Sequence, residues 1–226
     1  TEALRHAAMA NEANLDIKWI NAELVEEGEI DLEAELKDVD CILVPGGFGS
    51  KGLEGKISAI KYARENKVPF FGICLGMQCA VVEYARHIGM TGANTTEANA
   101  ETAYPVIDIL PDQQDVEEKG AMRLGLYPCK VAAGSLTEKA YGEALIYERH
   151  RNRYEVNNAF REELEKNGLV IAGALPNGRL VEIVELPTDV HPWFMGVQFH
   201  PELKSRRTNP HPLFRDFIAA ALKEQK

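Results

Sequence analysis

Val68-Pro69-Phe70-Phe71-Gly72-Ile73-Cys74-Leu75-Gly76-Met77-Gln78 is the stretch on which the fold turns. Its first half is a continuous apolar run, the pattern of a strand buried on both faces of a parallel sheet. Its second half opens a segment in which Met77, Ala80, Val81, Tyr84, Ala85 and Ile88 recur at helical spacing. A strand therefore passes into a helix at Cys74. Toward the amino end, Leu53 to about Glu65 predicts a helix with Leu53, Ile57 and Ile60 on one face. Before it, Cys41-Ile42-Leu43-Val44 is a second apolar run, stopped by Pro45-Gly46-Gly47. Leu15 to Ile20 alternates apolar and polar residues and predicts a further strand. Strands alternating with helices in this way predict an α/β domain with right-handed crossovers.

The carboxyl half reads differently. Strands are predicted at Tyr104 to Leu110, Leu126 to Ala132, Ala144 to Tyr154, Val170 to Leu175, Leu180 to Leu186 and Trp193 to Phe199. Short turns such as Pro176-Asn177-Gly178 predict antiparallel pairs among them. Helices are predicted at Ala159 to Asn167 and Pro212 to Lys223, and a polar loop at residues 112–119.

The 226 residues, 45% hydrophobic and 27% charged, suit one mixed α/β domain. A net charge of −10 disfavours nucleic acid or an anionic membrane as a partner. Cys41, Cys74, Cys79 and Cys129 form no C-x-x-C pair, which favours reduced thiols, no metal and a cytoplasmic setting. The chain begins at Thr1 without Met, as a processed chain or a piece of a longer one does.

Gly72-Ile73-Cys74-Leu75-Gly76 has the G-x-C-x-G form of a nucleophile elbow. Glycines two residues to either side allow a sharp strand-to-helix turn that lifts one side chain above the sheet. The partial positive charge of the following helix N-terminus favours thiolate over thiol. A thiolate attacking a carbonyl needs an oxyanion hole, and each donor in one is worth about 3 kcal/mol. Pro45-Gly46-Gly47-Phe48-Gly49 leaves the neighbouring strand at the same sheet edge, so the N–H groups of Gly47 and Leu75 are the candidate donors. Val197-Gln198-Phe199-His200-Pro201-Glu202 supplies a base at a strand end with a carboxylate two residues on. In extended backbone those two side chains share a face, so Glu202 is expected to orient His200.

P-G-G-F-G, G-I-C-L-G-M-Q and H-P-E in this order resemble the triad-type class I glutamine amidotransferases. Asn94-Thr95-Thr96-Glu97, Met122-Arg123-Leu124-Gly125 and Glu148 to Asn157 narrow the resemblance to the amidotransferase half of the CTP synthase family, over essentially the whole chain. It implies an α/β, flavodoxin-like class I amidotransferase fold, with a largely parallel central sheet flanked by helices and additional antiparallel strands. It implies Cys74 as nucleophile, His200 as general acid/base, Glu202 as its orienter, and Gly47 and Leu75 as the oxyanion hole. Gln78, Glu97 and Arg153 would grip the amino-acid end of glutamine, Glu97 at the α-ammonium and Arg153 at the α-carboxylate, and Phe48 would line the glutamine pocket. L-glutamine hydrolysis would need no cofactor. ATP, Mg and UTP would belong to a synthetase domain lacking from this chain, GTP would be an allosteric effector, and the full-length protein would be a homo-oligomer (a tetramer). Another amidotransferase subunit, a γ-glutamyl hydrolase and a non-catalytic assembly module remain alternatives.

The residues agree with this chemistry. Period-two spacing places Arg149, Arg151 and Arg153 on one face of a strand, where like charges call for a partner. A guanidinium fork suits a carboxylate ligand. Asn152 stands where the commonest family pattern has a second histidine, Lys51 where it often has arginine, Ala98 where phenylalanine is common and Arg207 where proline is usual.

Overall fold

The computed structural model describes residues 1–109 and 122–224, so the predicted polar loop at 112–119 lies outside the described residues. The helices are α1 Glu2–Ala10, α2 Ala22–Glu26, α3 Leu32–Leu36, α4 Leu53–Asn66, α5 Leu75–His87, α6 Leu136–Tyr141, α7 Asn158–Lys166 and α8 Pro212–Glu224. The strands are β1 Ile42–Val44, β2 Phe70–Ile73, β3 Asn94–Thr95, β4 Pro105–Asp108, β5 Arg123–Val131, β6 Leu145–Asn152, β7 Glu155–Val156, β8 Val170–Ala174, β9 Val181–Glu185 and β10 Phe194–Val197.

Seven strands form the main sheet in the order β1-β2-β10-β9-β8-β5-β6. The parallel part comprises β1 with β2 and β2 with β10. The added strands β9, β8, β5 and β6 are antiparallel to their neighbours. A small second sheet, β3-β4-β7, lies beside it. The predicted turn at Pro176-Asn177-Gly178 joins β8 to β9 as an antiparallel pair.

Period-two alternation divides the core between the two faces of the main sheet. Phe70, Val184 and Phe194 pack with Ile57, Ile60, Met77 and Val81 on the α4/α5 side. Phe71, Ile183, Met195 and Val197 pack with Leu213, Phe214 and Phe217 of α8 on the other. Helix α1 also lies there through Ala3 and Ala7, and the Asn11 side chain ties it to α8 by donating to Arg215 O at 2.9 Å. Leu15 to Ile20 forms no strand. Leu15 rests on one core and Ile20 on the other, so its apolar residues cover the two cores in turn rather than face across a ladder. No helix among the described residues is long and apolar enough to cross a membrane.

The consequence for function is an edge. Because β1, β2 and β10 run parallel, their carboxyl ends emerge together, delivering Pro45–Gly49, Cys74 and Gln198–His200 to one place. Crevices beyond the carboxyl ends of parallel strands are where α/β sheets bind ligands.

Candidate active site

Cys74 sits between β2 and α5 with φ 53° and ψ −105°, a left-handed conformation that a non-glycine residue rarely adopts. Strain of this kind persists only where the surroundings enforce it. The Cys74 N–H donates to Val197 O at 2.7 Å, pinning the turn to β10. A Cβ on Gly72 would fall 2.6 Å from Gly76 O, and one on Gly76 would fall 2.1 Å from Val44 O. Both flanking glycines are therefore required by backbone contacts across the elbow. Leu75 opens α5, where helix N–H groups have no intrahelical acceptor. The other three thiols are held protonated. Burial pushes Cys41 and Cys79 up to about 12, Cys41 with help from Asp40, and raises Cys129 as well.

His200 reaches the sulfur from the end of β10. A Cβ on Gly46 would lie 2.8 Å from His200 Cε1 and 3.4 Å from Cys74 Cβ, so glycine at that position lets the two side chains approach. His200 Nδ1 bonds to Glu202 Oε1 at 2.7 Å. The contact is as expected, but Pro201–Leu203 is a 3-10 turn rather than extended backbone, and the turn is what folds Glu202 back onto the ring. His200 Nε2 is buried without a hydrogen-bond partner. Burial opposes charge on His200, but the nearby Cys74 sulfur and Glu202 outweigh it and push the pKa up to about 10. An unbonded nitrogen beside the sulfur fits a resting site, since catalytic hydrogen bonds often tighten only around substrate. The remaining histidines are engaged elsewhere: His6 with Ser205, His150 with Glu182, His191 with Ala63 O and His211 with Glu148, while His87 stacks near Tyr84.

Around this pair stand the other expected residues. Gly47 borders Leu75, whose Cδ2 is 3.3 Å from the position of an added Gly47 Cβ. Phe48 is exposed, with the Arg151 guanidinium 5.4 Å from its ring centroid. Glu97 accepts the Gly49 N–H at 3.0 Å, which anchors it beside the same loop. Tyr154 feels the charges of both Glu97 and Arg153, and its pKa is raised by burial first and by Glu97 second. Arg149 and Arg151 share the exposed face of β6, whereas Arg153 lies just beyond the strand's end.

Gln78 lies beneath the sulfur. Its side chain is buried, and Nε2 donates to Tyr154 O at 3.0 Å and to Gln198 Oε1 at 3.2 Å. Gln198 in turn donates to Cys74 Sγ at 3.6 Å, and Arg151 O lies 3.8 Å from the same sulfur. Sequence reading did not single out Gln198, Gly46 or the Arg151 carbonyl. The available signal for Gln198 was its place two residues before His200, just past the end of β10, where extended backbone would repeat the side-chain direction.

The class-I glutamine amidotransferase family model matches residues 1–220. A CTP synthase from Clostridium kluyveri is 60% identical over 223 residues, covering 98% of this chain and 41% of that protein. One from Geobacillus kaustophilus is 57% identical over 226 residues, covering 99% of this chain and 42% of that protein. The chain thus spans about two fifths of the curated relatives' length. A solved Trypanosoma brucei structure, the CTPS glutaminase domain with bound acivicin, superposes with a TM-score of 0.89 at 38% identity, covering 98% of this chain and 86% of that one.

Proposed function

Because the chain belongs to the class-I glutamine amidotransferase family, we propose that it hydrolyses L-glutamine to glutamate and ammonia through a thioester on Cys74. The observation that carries this is a cysteine held at positive φ on a strand-to-helix elbow, beside a histidine whose Nδ1 is fixed by Glu202 and whose Nε2 is free.

The chemistry proceeds in two halves. The Cys74 thiolate attacks the side-chain carboxamide carbon, and the oxygen takes negative charge facing the N–H groups of Gly47 and Leu75. Each donor contributes about 3 kcal/mol to that transition state. With a pKa of about 10, His200 is an imidazolium at neutral pH, and it gives its Nε2 proton to the departing nitrogen. Ammonia leaves and a γ-glutamyl thioester remains. Acylation removes the sulfur's negative charge, one cause of the raised His200 pKa, so the imidazole becomes free to act as a base. It takes a proton from water, which attacks the thioester carbon and releases glutamate and thiolate. Glu97 and Arg153 receive the α-ammonium and α-carboxylate, and Phe48 lines the approach.

Within a longer polypeptide like the CTP synthase relatives, the ammonia would pass to a synthetase domain that uses ATP and Mg to aminate UTP to CTP. GTP regulation, tetrameric assembly and a cytoplasmic setting belong to that same proposal.

Cys74→Ala tests the central assignment. The variant should fold and release no ammonia from glutamine, and a glutamine-mimicking electrophile should add one mass increment to the parent on Cys74 alone. Equal ammonia release by variant and parent, or labelling spread over all four cysteines, would overturn it.

A further inference from the structure

We propose that Gln198 is a further catalytic residue that hydrogen-bonds the Cys74 sulfur, and that Gln78 is the positioning residue that aims it. The inference rests on Cys74 being the nucleophile proposed above.

Amide orientation is normally ambiguous, but here chemistry fixes it. Tyr154 O is a backbone carbonyl and can only accept, so the Gln78 NH2 group must face it at 3.0 Å. The second Gln78 proton points to a Gln198 atom 3.2 Å away, which must therefore be the acceptor, Oε1. That leaves the Gln198 NH2 group facing Cys74 Sγ at 3.6 Å. Gln78, Gln198 and Cys74 are all buried, so no water competes for these bonds. The chain of amides turns one fixed backbone carbonyl into one fixed donor at the sulfur.

A thiol accepts a hydrogen bond weakly, whereas a thiolate accepts a charge-assisted one. Gln198 therefore favours the reactive form without adding a charge that would trap it. The other groups facing the sulfur are His200 from the end of β10, with Glu202 behind it, and the Arg151 carbonyl from β6. Among the described residues, Gln198 alone offers a neutral side-chain donor to the sulfur. Its own backbone is anchored separately, its N–H donating to Glu182 O at 2.9 Å, so side-chain replacement leaves the strand attached.

The test compares Gln198→Met, which has no donor, with Gln198→Glu, which keeps the shape but presents a carboxylate. Iodoacetamide alkylation of Cys74 is followed against pH by peptide mass mapping, without glutamine present. The pH midpoint should rise by about one unit in Gln198→Met and further in Gln198→Glu. Gln78→Met should shift it in the same direction by less. Glutaminase kcat should fall at least tenfold in both Gln198 variants, with KM within about threefold. If Gln198→Met fails to give a cooperative thermal transition, the near-isosteric Gln198→Glu decides alone. An unshifted alkylation midpoint in a folded Gln198→Glu overturns the proposal. Shifted alkylation in a protein whose parent releases no ammonia would instead uphold the relay and remove the proposed function.

Discussion

Gly46→Ala isolates the geometry of the proposed nucleophile, Cys74, and its proposed base, His200. The added Cβ would lie 2.8 Å from His200 Cε1 and 3.4 Å from Cys74 Cβ. Restoring a tolerable 3.4 Å contact requires the ring to retreat by 3.4 − 2.8, about 0.6 Å. Nδ1 is tethered to Glu202 at 2.7 Å, so the ring pivots about that bond and Nε2 swings away from its place beside the sulfur. Misplacement of order 1 Å costs roughly 100-fold in rate, so a 10- to 100-fold loss in kcat is expected, about 1.4 to 2.7 kcal/mol. KM should stay within about threefold, because Gly46 touches the base rather than the residues proposed to hold the amino-acid end. The backbone tolerates alanine, since Gly46 is not among the positive-φ glycines, so the melting temperature should move little. Gly47→Ala is the matched control. Its Cβ meets only the mobile end of Leu75, Cδ2 at 3.3 Å, and it keeps the N–H proposed for the oxyanion. Ammonia release and thermal melting measured on both variants check the expectation. Equal kcat in the two variants, or a loss at Gly46 confined to KM, would refute the reasoning.

Glu202→Gln should lower kcat about 100-fold, with the alkaline limb of the rate profile moving down from about 10, because the carboxylate supports the charged His200 ring; an unmoved alkaline limb measured by ammonia release would count against that role. His191 makes stability depend on pH. Its pKa is lowered from 6.5 to about 4, chiefly by burial, and its neutral ring donates to Ala63 O while accepting the Trp193 N–H. The unfolded chain takes up its proton first, so this contribution, about 3 kcal/mol, is complete above pH 6.5 and is lost as pH falls toward 4. Urea unfolding at about pH 7 and about pH 4 should show a smaller acid loss in His191→Phe than in the parent; equal losses would remove His191 as the cause. Arg64 donates to the buried carboxylate of Glu83 from Nη2 at 2.8 Å and from Nε at 2.9 and 3.1 Å. Arg64→Met should cost about 3 kcal/mol in urea unfolding, and the double variant with Glu83→Met should recover most of it; a single variant as stable as the double would contradict an uncompensated buried charge.

What could be read from the sequence was local. The apolar runs ending at Val44 and Ile73 announced parallel strands because burial on both faces leaves no polar alternation. The spacing of glycines about Cys74 announced the elbow because the constraint acts within four residues. Helix α1 was not read as such, since its buried side chains, Ala3, Ala7 and Ala8, are small and each buries little apolar surface. Leu15 to Ile20 had a strand's alternation but pairs with no strand, and periodicity alone cannot report a missing partner. The hydrogen bonds of the Gln78 amide to Tyr154 and Gln198, distant in sequence, were not legible either. Side-chain pairings across such separations are set by strand order, and the insertion of β10 between β2 and β9 had no local signature.

Strand β6 shows why those distant pairings matter. Its inward positions after Ile146 are Glu148, His150 and Asn152, all buried and polar, while Arg149 and Arg151 point outward. Burying such groups costs free energy unless each is satisfied. Each finds a partner on a different element: Glu148 with Tyr141, His211 and Lys204, His150 with Glu182, and Asn152 with Glu155. Arg123 of β5 closes the last two into one group by donating to Glu155 at 2.8 Å and Glu182 at 2.6 Å. Asn152 supplies a neutral donor to Glu155 at 2.7 Å, adding no cation beside Arg123. A one-residue slip of β6 would bury Arg149 and Arg151 and expose every one of these groups, so the network specifies register more strongly than an apolar face would. That register is what brings Arg151 O to 3.8 Å from the Cys74 sulfur and its guanidinium over Phe48. The buried charges thus act on the site through position: they hold the strand whose backbone touches the Cys74 sulfur and whose outer face meets the glycine-rich loop.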